Sequence, residues 1–127
     1  VVVTNDPTTF WYDHRAINHP DHRAIGEAAL AAIFPTARDR LNYPEMEREG
    51  LLPHKVKQVY LAGSSHPNVK VDISSTLERK LTALREHKSQ IPDMDAIAER
   101  QRSRLDPEAP AGYPRVIESF TVLTLDR

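Results

Sequence analysis

VVVTNDPTTFWYDHRAINHPDHRAIG, residues 1–26, begins as one kind of element and ends as another. Val1, Val2 and Val3 are β-branched, and an unbroken run of this kind reads as a strand buried on both faces. The Asn, Asp, Pro and Thr residues that follow break the pattern, so NDPTTFWYDHRAINHPDH, residues 5–22, reads as a long loop leaving that strand. Loops of this length in compact domains are functional or disordered. Phe10, Trp11 and Tyr12 weigh against disorder, because so much aromatic surface requires burial or a ligand. A helix is predicted from Pro20, since proline suits the first helical position, with Asn18 or His19 as its cap. Asp21 in the first turn complements the helix dipole. Ile25, Ala28, Ala29, Ala32 and Ile33 mark the buried face, and His22, three residues before Ile25, falls on the same side. Pro35 closes the helix.

Working outward, residues 36–54 form a polar connection with room for one short helical turn. VKQVYLAG (residues 56–63) and VKVDIS (69–74) read as strands separated by the turn SSHPN. Ser75, Thr76, Leu77 and Glu78 have the form of a capping box. Leu77, Leu81 and Leu84 continue it as an apolar stripe, with His87 on the buried side and Pro92 as the stop. A third, surface-lying helix is predicted over residues 93–105, with Met94, Ile97, Ala98 and Gln101 inward. RVIESFTVLTL (115–125) reads as a closing strand, in which Glu118 has an arginine as its expected partner. Strand, helix, strand, strand, helix, helix, strand is an α/β order. The loop after VVVT leaves the carboxyl end of a strand, where ligands bind in open α/β sheets.

A strand buried on both faces needs a neighbour on each side, and beginning a chain inside one leaves an edge unprotected. With neither an initiator Met nor a signal-peptide pattern, the start reads as the C-terminal part of a domain whose upstream segment is absent, or as a processed chain. The 127 residues suffice for one modest core. Seventeen basic side chains nearly balance eighteen acidic ones, so the charge footprint of a nucleic-acid binder is lacking. No apolar run approaches the roughly 20 residues of a membrane span. There is no cysteine, so any metal must be held by His and carboxylate ligands.

The chemistry concentrates in His19-Pro20-Asp21-His22. Two imidazoles three residues apart at a helix start lie near each other, and neutral imidazole is the commonest protein metal ligand. Catalytic zinc takes three protein ligands and a water. One histidine can bind metal while the other acts on substrate, its ring oriented by Asp21. The plain alternative is a helix cap with surface histidines.

VVVTNDP, NHPDHRAIGEAALAAIFPTARD, PHKVKQVYLAG, VDIS, LREHKSQ and GYPRVIESFTVL, in this order over nearly the whole chain, resemble the LmbE-like family, the GlcNAc-phosphatidylinositol de-N-acetylases. The resemblance implies a Rossmann-like, mainly parallel sheet flanked by helices, here as one incomplete domain over residues 1–127 without its N-terminal βα units. It implies a bacterial Zn2+ hydrolase that removes N-acetyl groups from amino-sugar-containing small molecules; a cytoplasmic location is the expectation from the absence of cysteine. His22 matches a zinc ligand, His19 the residue that stabilises the oxyanion, and Asp21 the residue that orients His19. The family's other two ligands and its general base come from an Ala-His-Pro-Asp-Asp motif, which this sequence lacks. The 127 residues are therefore expected to be inactive alone, the missing ligands coming from an N-terminal segment. The expected partner is an N-acetylated amino sugar or glycoside, with no nucleic acid and no membrane span; a homo-oligomeric parent is left open. The alternative is a non-catalytic domain that keeps the fold and binds a glycan or a protein partner.

Other residues have two readings each. Tyr12, His14 and Arg15 could bind sugar hydroxyls or a phosphate, or form a rim; Trp11 could stack on a sugar or pin the loop. His87 could contact substrate or hydrogen-bond backbone at the core's edge. His54 and His66, each beside proline, read as surface histidines. Ser64 and Ser65 lack the strand-turn-helix context of a hydrolase nucleophile. With four glycines and no Gly-rich phosphate loop, a nucleotide-binding module is disfavoured.

Overall fold

The structure, a computed structural model, describes residues 1–125. The chain is α/β and divides into two compact units, Val1–Val69 with Ser119–Arg127, and Lys70–Glu118. In order the elements are β1 (Val2–Asn5), β2 (Trp11–Tyr12), β3 (Ala16–Ile17), α1 (Pro20–Ile33), a 3-10 turn (Thr36–Arg38), α2 (Pro44–Arg48), β4 (Gln58–Ala62), β5 (Val69–Asp72), α3 (Leu77–Arg85), α4 (Met94–Arg102) and β6 (Ile117–Thr124).

The main sheet has the order β1-β4-β6-β5. β1 and β4 pair in parallel, Val2 opposite Val59 and Asn5 opposite Ala62. β6 runs antiparallel to β4, Phe120 opposite Ala62 and Thr124 opposite Gln58. Parallel pairing is thus found at β1 and β4, and β6 enters in the opposite sense. Val2 packs on the core of Ile33, Val59 and Leu61, while Val1 and Val3 are 76% and 64% exposed. The strand is therefore half-buried rather than covered on both faces: successive side chains point to opposite sides, and among the described residues only one side is covered. Among the described strands β1 lies at the edge.

The segment expected to be one long loop contains a hairpin. Trp11 pairs with Ile17 and Tyr12 with Ala16. Asp13 and His14 carry it round at φ 46° and 55°, a left-handed conformation that Asp and His adopt more readily than most residues.

α1 starts at Pro20 with His19 as its cap, but its buried face differs from the apolar stripe. Gly26 and Ile33 are buried, Ala29 and Leu30 partly so; Ile25 is 55% exposed, and His22, Ala28 and Ala32 also face outward. Gly26 explains the rotation. A Cβ there would lie 2.3 Å from Asn5 O, so the helix backbone rests almost directly on the end of β1. Residues 26, 29, 30 and 33 are one helical face, and its closest approach is made by the residue with no side chain.

The second unit is built on Leu77, Leu81 and Ala98, with Ile73, Leu84, Met94 and Val116 against them. Of the expected inward residues on α4, Ala98 and Gln101 are buried and Met94 and Ile97 half-buried. The capping box at α3 does not form. Thr76 Oγ1 donates back to Ile73 O at 3.2 Å and accepts no helix N–H. α3 stops at Arg85, seven residues before Pro92, because residues 85–90 are polar all round and nothing extends the stripe beyond Leu84. His87 consequently lies in the following turn with its side chain exposed, not on a buried face. Glu118 pairs with Lys80 rather than an arginine, and Lys80 Nζ also donates to Gln101 Oε1 at 3.0 Å.

Candidate active site

β1 and β4 are parallel neighbours, so both carboxyl ends open on the same side. The first loop leaves β1 through Asp6, whose N–H still donates to Ala62 O at 2.9 Å. Asp6 is buried, and its Oδ1 takes both the N–H and the hydroxyl of Thr8, at 2.9 and 2.6 Å. Burial pushes the Asp6 carboxyl up. The hydrogen bonds from Thr8 and Ser64, with His66 nearby, outweigh it and hold the group below the usual carboxylate value. The buried Thr9 ties this loop to the one after β4: its Oγ1 accepts from Ser65 N at 3.2 Å and lies 3.3 Å from Ser65 Oγ. Between the two loops is a cleft of about 490 Å³ lined by Thr8, Thr9, Phe10, Trp11, Ser65 and His66.

The hairpin turns the chain back toward α1. The buried Asn18 fixes that return: its N–H donates to Phe10 O and its Nδ2 to Thr9 O, both at 2.8 Å. Arg23 closes the corner, donating to Asn18 O at 3.1 Å with its guanidinium 4.5 Å from the Phe10 ring centre. Next come the two histidines, with ring centres 5.7 Å apart and planes at 48°. His19 Nδ1 accepts from Asp21 N at 3.2 Å. The Asp21 carboxylate is 3.8 Å from the same nitrogen and largely in water, so the backbone of Asp21, more than its side chain, holds the ring here. His22 Nδ1 lies 3.3 Å from Asn18 Oδ1.

His19, Asp21 and His22 are thus one exposed cluster at the start of α1, and Tyr12 and Arg15 belong to the hairpin just before it. Tyr12 reaches across to Gly63: a Cβ on that residue, at φ 68°, would be 3.0 Å from the Tyr12 hydroxyl. Arg15 sits in the turn, its N–H donating to Tyr12 O at 2.8 Å. His87 belongs to the second unit. His66, set aside as a surface histidine, lines the cleft, as do Thr8 and Thr9. The sequence shows only that SSHPN follows a second strand; that the carboxyl end of this strand faces the same way as the first comes from the parallel pairing of β1 and β4.

No family model matches the chain. Over 93 residues it is 34% identical to the diacetylchitobiose deacetylase of Thermococcus kodakarensis, a match that takes in 73% of this chain and 33% of that protein. The solved N,N'-diacetylchitobiose deacetylase from Pyrococcus horikoshii, complexed with its inhibitor MPG, superposes with a TM-score of 0.65 at 26% identity, over 96% of this chain and 45% of that one. The chain is similar to diacetylchitobiose deacetylases. It spans about a third of the length of the curated relative.

Among the described residues no three His, Cys, Asp or Glu side chains are grouped so as to hold an ion. What fits is one imidazole: His22, exposed at the helix start with one ring nitrogen directed at Asn18 and the other free of protein hydrogen bonds among the described residues.

Proposed function

We propose that this chain is part of a zinc-dependent de-N-acetylase of the LmbE-like family, acting on N-acetylated amino sugars or their glycosides. The observation that carries the proposal is the coincidence of the similarity to diacetylchitobiose deacetylases with an adjacent pair of exposed imidazoles at the start of α1. His22 is the ligand this chain contributes; the other two ligands and the general base belong outside these 127 residues. When bound, the zinc ion supplies Lewis acidity toward water and the amide carbonyl. His19 donates a hydrogen bond to the oxyanion of the tetrahedral intermediate, a contribution on the order of 3 kcal/mol. The cap contact from Asp21 N holds the ring for that task. The cleft beside the hairpin, lined by Phe10 and Trp11 together with Thr8, Thr9 and Ser65, is suited to the apolar face and hydroxyls of a sugar.

The 127-residue chain alone is then expected to release negligible acetate from diacetylchitobiose. In a longer protein carrying it, His22→Ala should lower zinc content. His19→Ala should leave zinc in place and lower kcat, by about 10²–10³-fold if the donor acts only in the transition state. Acetate release and bound zinc, measured on the same samples, check both. Equal zinc loss in the two variants would show that the roles are not divided in this way.

A further inference from the structure

The amide of Asn18 can be oriented without ambiguity, and the orientation has a consequence for His22. A backbone carbonyl can only accept, so the Asn18 atom 2.8 Å from Thr9 O is the amide nitrogen. The other amide atom, 3.3 Å from His22 Nδ1, is therefore the oxygen. Two acceptors would repel there, so a neutral His22 must carry its proton on Nδ1. The constraint is firm because Asn18 is 2% exposed and cannot turn without leaving Thr9 O unpaired.

We infer that Asn18 is a positioning residue that holds His22 in the Nδ1–H tautomer, leaving the lone pair of Nε2 directed outward. His19 is set the opposite way. Its Nδ1 accepts from Asp21 N, so its proton belongs on Nε2. Two imidazoles three residues apart thus present opposite faces: His19 a donor, His22 a lone pair. A metal-binding imidazole needs an unprotonated nitrogen, and a hydrogen bond made by its other nitrogen fixes which one that is. The functional meaning of this arrangement rests on the proposed ligand role of His22; the tautomers themselves do not.

The test is long-range ¹H–¹⁵N correlation of the histidine rings in the metal-free chain, at a pH where they are neutral. His22 should show a protonated Nδ1 and a bare Nε2, and His19 the reverse. Asn18→Leu removes the acceptor and the bond to Thr9 O; Asn18→Asp removes that bond but keeps an acceptor. The single His22 tautomer should be lost in Asn18→Leu and kept in Asn18→Asp, with His19 unchanged in both. A merely structural role for Asn18 would move both variants alike and overturn the inference. If the variants do not fold, the unsubstituted chain still decides: an Nε2–H tautomer at His22 overturns it. Zinc titration of a longer protein that carries this chain and supplies the remaining ligands separates the two readings. A His22 ring that keeps the Nδ1–H pattern but is not shifted by zinc supports the tautomer assignment and counts against the ligand role.

Discussion

Gly26 sets the rotation of α1 by what it lacks. Any side chain there meets Asn5 O at 2.3 Å and Pro7 Cδ at 3.1 Å, and the first of these is backbone that cannot step aside. In an open helix, replacing glycine by alanine gains about 1 kcal/mol of helix propensity. Here the overlap should reverse the sign, for a net loss of about 1–3 kcal/mol, typical of forcing an extra carbon into a packed site. Urea unfolding of Gly26→Ala measures it. An unchanged or higher midpoint would mean that α1 does not sit this close to β1. Asn18 and Gly26 both lie in the segment that leads into and begins α1, and neither owes its importance to an exposed reactive group.

α3 and α4 are nine residues each, too short to be stable as isolated helices in water, so their mutual face must supply the stability. Leu81 has no exposed surface and packs with Leu77 and Ala98. Leu81→Ala should cost about 2–5 kcal/mol and lower helical circular dichroism at temperatures where the parent chain is folded. The two helices begin differently. Asp93 accepts Ala96 N at 2.9 Å, a side-chain cap, whereas Thr76 turns its hydroxyl back to Ile73 O. Asp93→Ala should therefore cost about 1 kcal/mol and Thr76→Ala distinctly less, which the same denaturation experiment resolves.

Each unit also carries a buried carboxylate. Asp106 takes Glu108 N at 3.1 Å, Lys70 at 3.4 Å and Arg115 at 2.7 Å. The backbone N–H of Glu108 and the two cations hold it below the usual value against the cost of burial. Asp6 is held low in the first unit, as described above. A carboxyl whose folded value lies below its unfolded one stabilises the fold at pH above the unfolded value, here about 3.8, and that stability is lost as pH falls through the folded value. Unfolding free energy should accordingly fall as pH drops below about 4. Asp6→Asn and Asp106→Asn should each flatten that fall, most clearly as a smaller difference between neutral and acidic urea midpoints. Unaltered acid dependence in both would show that other carboxylates carry it.

The features that depend on near neighbours were legible in the chain. Pro20 begins α1 because its fixed φ suits the first turn and its missing N–H costs nothing there. Met94, Ile97, Ala98 and Gln101 share a face because helical period alone decides that. The His19 and His22 pair could be read from spacing, as could the α/β order. What needed the folded molecule lies between residues far apart in sequence. The stripe through Ile25 and Ala28 is as apolar as the one through Gly26 and Ala29, and only contact with Asn5 O selects the second. The cleft by the hairpin exists because Thr9 meets Ser65, 56 positions away, once β1 and β4 pair in parallel. Spacing could place His22 near His19, but the pairing of Asn18 with Thr9 O is what orients the amide that faces its ring. Propensity and period act over a few residues, whereas a burial pattern or a tautomer is decided by whichever partner the rest of the chain brings into reach.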